Sequence, residues 1–558
     1  MAKTKLPDYD IAIIGGGASG LYTAWRMLLD GQEHSESLRK WTKARGKLKI
    51  AIFEGSDRIG GRLLSAKSPA LPDTVCELGG MRYVSSQTYV RSIVENKFNL
   101  PRHELIVTDD KNLAYLRGKH LRISDLGEPD KLPYSFSAEE KAWLSKKNNA
   151  ISNLLGYAIE KIFPEIATKN LSGDKLRKYL EKQKIDGKLL YKHGFWNLVS
   201  SQLSHEGYRA AVTTVGYDCL GFNINAVDAI CEYYDFTPGV KYYLFDKGFD
   251  SLLWTIQDEF QKAGGEVISD KWLTGFDQVS LPDRSKGVAL NFRGDRKTYS
   301  ARAIVLAMPK RSIELLEERG PVLDPAKSPR MRHLMNAVEP IICYKMFIAY
   351  DHPWWEKKGV TEGRTLTDIP VRQCYYWGVD KDTKNAIIMA YNDAQSSQFW
   401  GGLRFMPLGP GDTKDQGSSA KFKRTAVAKA NTGKASDWEK RLFKNWKNHE
   451  APKAMVKEMH RQLTIIHNMP DAPEPIDAAF QDWGDDPFGG AVHFWNPGYN
   501  STKTMHEISH PVPNFPCYVC GEAYSQGQTW VEGAIQTSEI ILRKFGIPEP
   551  KWLTKNPK

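Results

Sequence analysis

No stretch of the 558 residues comes near the roughly 20 consecutive apolar side chains that a membrane-spanning helix needs, so no membrane partner is expected. The first residues, Met1 to Pro7, enter an apolar run too soon to hold the apolar stretch of about 7–15 residues that a secretory signal requires, which points to a cytoplasmic chain. Cysteine is scarce. Seven occur, an odd number without regular spacing, which argues against a disulfide framework and for reduced thiols. Cys517 and Cys520 form a lone C-x-x-C with no second pair and no clustered histidine, so no metal site is expected there. No internal repeat at a solenoid period is found either. Aromatics, by contrast, are plentiful: 16 Trp, 24 Tyr and 22 Phe within a hydrophobic content of 41% suffice for two or three cores at this length.

Acidic charge is the other shortage, leaving a net charge of +11 that would suit a polyanion. Its distribution argues otherwise. Between Asp412 and Arg461 stand 13 Lys and Arg against 6 Asp and Glu, so more than half of the imbalance sits in one segment. That segment starts with the Gly/Pro/Ser-rich Gly409 to Ser419 and continues through Trp438 to Leu442 and Ala454 to Leu463, which read as surface helices. A solvated basic insertion over 409–461, with no nucleic-acid partner, is the expectation.

The most informative stretch lies near the start. Tyr9 to Ile14 is an apolar run of strand length; Gly15-Gly16-Gly17-Ala18-Ser19-Gly20 supplies G-x-G-x-x-G spacing; Leu21 to Leu29 reads as helix. In a strand–turn–helix context Gly15 permits the tight turn, Gly17 lets the backbone approach a pyrophosphate, and Gly20 lets helix pack on strand, while free N–H groups at the helix start face an anion. A second buried strand, Lys49 to Phe53, ends in Glu54, placed to accept hydrogen bonds from ribose hydroxyls. Gly20 and Glu54 are 34 positions apart rather than the usual 20 or so, because the polar stretch Asp30 to Lys47 is inserted between them. Together these features predict a dinucleotide half-site.

The next motifs resemble those of the flavin-dependent amine oxidase family, which includes amino-acid oxidases, monoamine and polyamine oxidases and histone demethylases. Glu54-Gly55-Ser56-Asp57-Arg58-Ile59-Gly60-Gly61-Arg62 resembles its second signature, along the FAD pyrophosphate. Glu77-Leu78-Gly79-Gly80-Met81-Arg82 resembles the loop passing the flavin ring. Cys520-Gly521-Glu522-Ala523, then Gly527 to Ala534, resembles the segment that closes over the ribityl chain and ring. The resemblance implies FAD held by Gly15, Gly17, Ala18, Ser19, Gly20, Glu54, Gly55, Arg62, Gly79, Gly80, Met81, Arg82, Gly521, Glu522, Trp530 and Val531. His493 to Pro497, where covalent members carry a flavin-linking cysteine, has none, so non-covalent FAD is expected.

The resemblance also implies substrate-facing residues. Arg82 matches the arginine that grips the substrate α-carboxylate in L-amino-acid oxidases, a task that suits a planar guanidinium fork. Thr367 to Tyr376 resembles the strand whose tyrosine shares that carboxylate. Adjacent strand residues face opposite ways, so only one of Tyr375 and Tyr376 can serve, and Tyr376 is favoured. Lys345 stands in the apolar strand Ile342 to Ile348, a costly position unless paired or wet, and matches the lysine that holds a water near flavin N5. Trp530 matches the aromatic beside the substrate amine.

The expected fold class is α/β, α+β overall: a Rossmann-type FAD-binding domain over 6–70, 238–332 and 480–558, interleaved with a mixed-sheet substrate domain over 71–130 and 333–479 and a helical insertion over 131–237. The implied activity is oxidative deamination of an L-amino acid with O2, giving 2-oxo acid, ammonia and hydrogen peroxide, in a homodimer or higher homo-oligomer. Alternatives are an amino-acid 2-monooxygenase, a polyamine or monoamine oxidase, and, more remotely, a flavin-bound protein docking through the basic insertion.

Overall fold

A computed structural model describes residues 6–146, 153–236, 239–405 and 435–554. Strand β1 (Tyr9–Ile14) lies at the centre of a seven-stranded sheet, parallel to β2 (Ile50–Phe53) on one side and to Tyr299–Leu306 on the other. Glu266–Ile268 extends the parallel set beyond β2, and Cys517–Val519 pairs in parallel with Tyr299–Leu306. An antiparallel pair, Leu273–Ser280 and Lys286–Phe292, completes it. All residues of β1 and β2 are buried, because helix α1 (Ala18–His34), Asp250–Lys262 and Val531–Lys544 cover one face while the antiparallel strands and short helices cover the other. Burial on both faces is why these strands read as unbroken apolar runs rather than alternating ones.

A second seven-stranded sheet runs in the order Asp477–Asp482, β3 (Cys343–Tyr350), Ala386–Asp393, β4 (Gln373–Val379), Arg364–Thr367, Leu113–Leu116, Lys119–Arg122. Its two faces bury different cores. Tyr344, Met346, Ile348, Cys374 and Tyr376 pack on one side beneath the helix Lys453–His467, whereas Phe347, Tyr375 and Met389 face the Leu64–Met81 segment. A third cluster gathers the short helices between Ala138 and Asp235, including α2 (Ala226–Asp235).

One sequence expectation is corrected here. The helices expected on a solvated basic surface are half core: Asp437–Asn448 buries Leu442, Phe443 and Trp446, and Lys453–His467 buries Met455, Met459, Leu463 and Ile466. Lysines fall on the outward faces of amphipathic helices, so a charge count over the segment hides the apolar stripe. The first part of that insertion, 409–434, lies outside the described residues. Tyr83–Val84 pairs as strand with Tyr242–Tyr243, and the helix Thr88–Ser92 that follows passes into a widened π-turn at Ile93–Lys97. All seven cysteines are buried and free. Among the described residues no helix is long and apolar enough to cross a membrane.

Candidate active site

A cavity of about 1220 Å³ runs from the Gly15 turn, past the Gly79–Arg82 loop, to the helical cluster. Every residue expected to hold the cofactor lines it except Gly20, whose role is internal: a Cβ there would sit 1.9 Å from the Gly15 carbonyl oxygen. Gly17 is the opposite case. A Cβ on it would meet nothing nearer than the Gly61 Cα at 3.9 Å, so nothing in the protein demands glycine there; the space it leaves belongs to the cavity and fits a pyrophosphate approaching the backbone. Glu54 is fixed at the end of β2 by the Gly16 N–H, donating at 2.8 Å to one carboxylate oxygen, and by Ser56, whose N–H and hydroxyl donate to the other. A carboxylate has about four lone-pair sites, so capacity for hydroxyls remains.

Glu522 is placed differently from a free ligand of the ribityl chain. One oxygen accepts from Arg62 Nη1 at 2.8 Å and from His493 Nδ1 at 2.9 Å; the other accepts from the N–H groups of His493 and Thr529. Burial would raise this carboxyl, but Arg62 and His493 hold it at about 2. Its charge is spent inside the protein, where it ties the 58–62 turn, the 492–495 strand and the segment before Val531 into one wall. His493 carried no sequence signal beyond a histidine in a short strand.

At the far end Arg82 enters the cavity from the loop after Met81. Its Nη1 donates to the Tyr375 hydroxyl at 3.4 Å, and its guanidinium stacks over the rings of Tyr242 at 4.5 Å and Tyr375 at 5.9 Å. No ion pair reaches it among the described residues. Burial alone would lower its affinity for the proton, but the surrounding tyrosines raise it, and the group is a permanent cation. In return burial, which would raise the Tyr375 phenol, is outweighed by Arg82, Arg364 and a hydrogen bond from Tyr217, which bring it down to about 8.

Arg82's tyrosine partner is therefore Tyr375, and the expectation of Tyr376 is corrected. Tyr376 points through the opposite face of the sheet, where its hydroxyl meets Thr365 Oγ1 at 2.6 Å and His467 Nε2 at 2.8 Å beneath Trp355. Register decides this: Tyr375 pairs with Met389, which pairs with Phe347, two residues along β3 from Lys345, so these side chains share a face. Tyr217, Tyr242 and Arg364 also join the site; each comes from a different segment, and none carries a motif.

Lys345 lines the cavity with its ammonium donating to the Gly79 carbonyl and, at 3.3 Å, to that of Glu77, over the face of Tyr391 at 4.7 Å. It thereby pins the loop that carries Arg82. Burial lowers its affinity for the proton to about 7, with Arg82 pushing the same way and Glu77 opposing. Trp530 caps Val531–Lys544, follows Thr529 at φ +72°, and packs its ring 5.8 Å from Phe236, just past the end of α2.

Residues 18–403 match the family described as flavin containing amine oxidoreductase. Aplysianin-A of Aplysia kurodai is 25% identical, covering 96% of this chain and 90% of its own length. Achacin of Lissachatina fulica is 24% identical over 96% and 93%. An L-amino-acid oxidase of Pseudechis australis is 21% identical over 70% and 68%. Among solved structures, putrescine oxidase bound to putrescine superposes with a TM-score of 0.58 at 16% identity, covering 96% of this chain and 98% of that one, a likeness of fold.

Proposed function

The chain belongs to the family of flavin-containing amine oxidoreductases, and we propose that within it the chain is an L-amino-acid oxidase using non-covalently bound FAD. One observation carries this reading: Arg82 is a half-buried cation in the cavity wall, surrounded by tyrosines, with no carboxylate partner among the described residues. A charge partly withdrawn from solvent without an opposite partner is costly, and a substrate α-carboxylate supplies what it lacks. Two parallel N–H donors of the fork and the Tyr375 hydroxyl suit that group. An amine without a carboxylate would leave the cation as it stands. The L-amino-acid oxidases among the relatives act on substrates of this class by name.

The residues of the glycine turn, Glu54, Arg62 and the 521–531 segment would hold the cofactor, which when bound supplies a two-electron acceptor for the Cα hydride and a route for those electrons to oxygen. Arg82 and Tyr375 orient the substrate by its carboxylate. Trp530 and Tyr391 line the cavity and would flank the substrate amine there. Lys345, with a proton affinity near neutrality, can hold a proton or a water at the cavity wall. Loss of hydride from Cα leaves an imino acid; water then adds and ammonia departs, giving the 2-oxo acid, while oxygen takes the two electrons and two protons as hydrogen peroxide.

An anaerobic titration tests this. The yellow protein is mixed with L-amino acids, their D-enantiomers, the decarboxylated amines and spermidine, and flavin absorbance is followed. Bleaching by L-amino acids alone is the expected result. Equal bleaching by the amines would make Arg82 structural and the protein an amine or polyamine oxidase. Release of an amide and carbon dioxide in place of the 2-oxo acid would identify a monooxygenase.

A further inference from the structure

Part of the cavity wall is built by the helical cluster, and there one acidic side chain stands out. Glu232 lies on α2, is half-buried, and lines the cavity. It makes no hydrogen bond or ion pair among the described residues. Its neighbour one turn earlier is differently placed: Asp228 accepts from Arg177 at 2.7 Å and from Ser501 at 2.8 Å. One turn later Phe236 touches the Trp530 ring, so this face of α2 looks onto the same part of the cavity as the tryptophan. Glu160, from the helix Leu154–Ile162, lines that cavity as well.

We propose that Glu232 receives a cationic group at the end of the substrate side chain, so that the preferred substrates are L-amino acids ending in an ammonium or guanidinium. This deepens the amino-acid oxidase reading and rests on it. The cavity then holds complementary charges at two places: a cation for the α-carboxylate at Arg82 and an anion for the distal cation at Glu232. Without a cation the carboxyl is poorly accommodated; burial and the nearby Asp235, Asp228 and Glu522 push it up to about 8. A bound ammonium reverses that balance, because an opposite charge within hydrogen-bond reach favours the ionised form. Phe195, Val215 and Phe236 line the same cavity, and apolar surface of this kind suits the methylene stem between the two charges.

The test uses the holoenzyme and two matched pairs. L-Lysine and L-norleucine differ only in the terminal amine. 6-Aminohexanoate and hexanoate differ in the same way, and neither carries an α-amine to oxidise. A charge-assisted contact is worth about 1.5–3 kcal/mol, roughly tenfold to a hundredfold. Wild-type kcat/KM should favour lysine over norleucine by about that factor, calorimetry should show 6-aminohexanoate binding tighter than hexanoate, and both preferences should collapse in Glu232→Gln. Norleucine oxidised as well as lysine by the wild type, or preferences that survive in the variant, would overturn the proposal while leaving the amino-acid oxidase reading intact. Flavin bleached by cadaverine and by no L-amino acid would overturn both.

Discussion

At residue scale, adjacent tyrosines have opposite environments and should respond oppositely to loss of one oxygen. Tyr375→Phe removes the hydroxyl beside Arg82; KM for L-amino acids should rise about tenfold with melting temperature little changed, the cost of one neutral-to-charged hydrogen bond. Tyr376→Phe leaves His467 Nε2 buried without its 2.8 Å partner; stability should fall by about 1–3 kcal/mol with KM unchanged, read by denaturant unfolding alongside steady-state kinetics. A KM effect from Tyr376 and none from Tyr375 would contradict the assignment of faces. Glu522 gives a pH prediction. Its carboxyl is held at about 2, below its usual 4.5. A lowered folded-state value stabilises the protein above the unfolded value and loses that contribution as pH falls through the folded one. The melting-temperature gap between wild type and Glu522→Gln should therefore be full at pH 6 and shrink steadily from about pH 4.5 towards 2; a gap independent of pH would show that Arg62 and His493 do not depend on its charge.

At the scale of elements, the helix Asp437–Asn448 shows how a segment read as solubilising surface can be structural. Its N-terminus is set by a capping box: Ser436 accepts from the Glu439 N–H, and Glu439 accepts from the Ser436 N–H. Its inner face then delivers Trp446, fully buried, against Leu64, Leu78 and the cavity-side face of the second sheet. Trp446→Ala should cost about 3–5 kcal/mol, while Lys440→Ala on the outer face should stay within about 0.5 kcal/mol. Chemical unfolding of both variants decides it; a mild Trp446→Ala would return the helix to the surface.

At the scale of the whole molecule, the cavity is where the first sheet, the second sheet and the helical cluster meet, since its wall takes Gly15 from one, Lys345 from the next and Glu232 from the third. A cofactor bound there would hold the three together, and its stabilisation would follow mass action. Stripping the flavin should lower the melting temperature, and excess FAD should raise it again by an amount that grows with the logarithm of FAD concentration, about 2.7 kcal/mol at a hundredfold excess over Kd. A melting temperature indifferent to FAD would mean that the cavity is not where it binds. What the sequence determined by itself were features encoded within a few residues. The glycine turn before α1, the buried runs of β1 and β2, Glu54 at a strand end and Arg82 after its glycines are contiguous, and their geometry follows from local sterics and hydrogen bonding. What only the tertiary structure decided were relations between distant segments: Tyr375 rather than Tyr376 facing Arg82, His493 and Arg62 sharing Glu522, Trp446 inside rather than outside, and Glu232 in the cavity wall. A one-residue change of register turns every side chain to the other face of a sheet, and register is set by pairing between β3 and β4 through the strand Ala386–Asp393, which no local pattern contains.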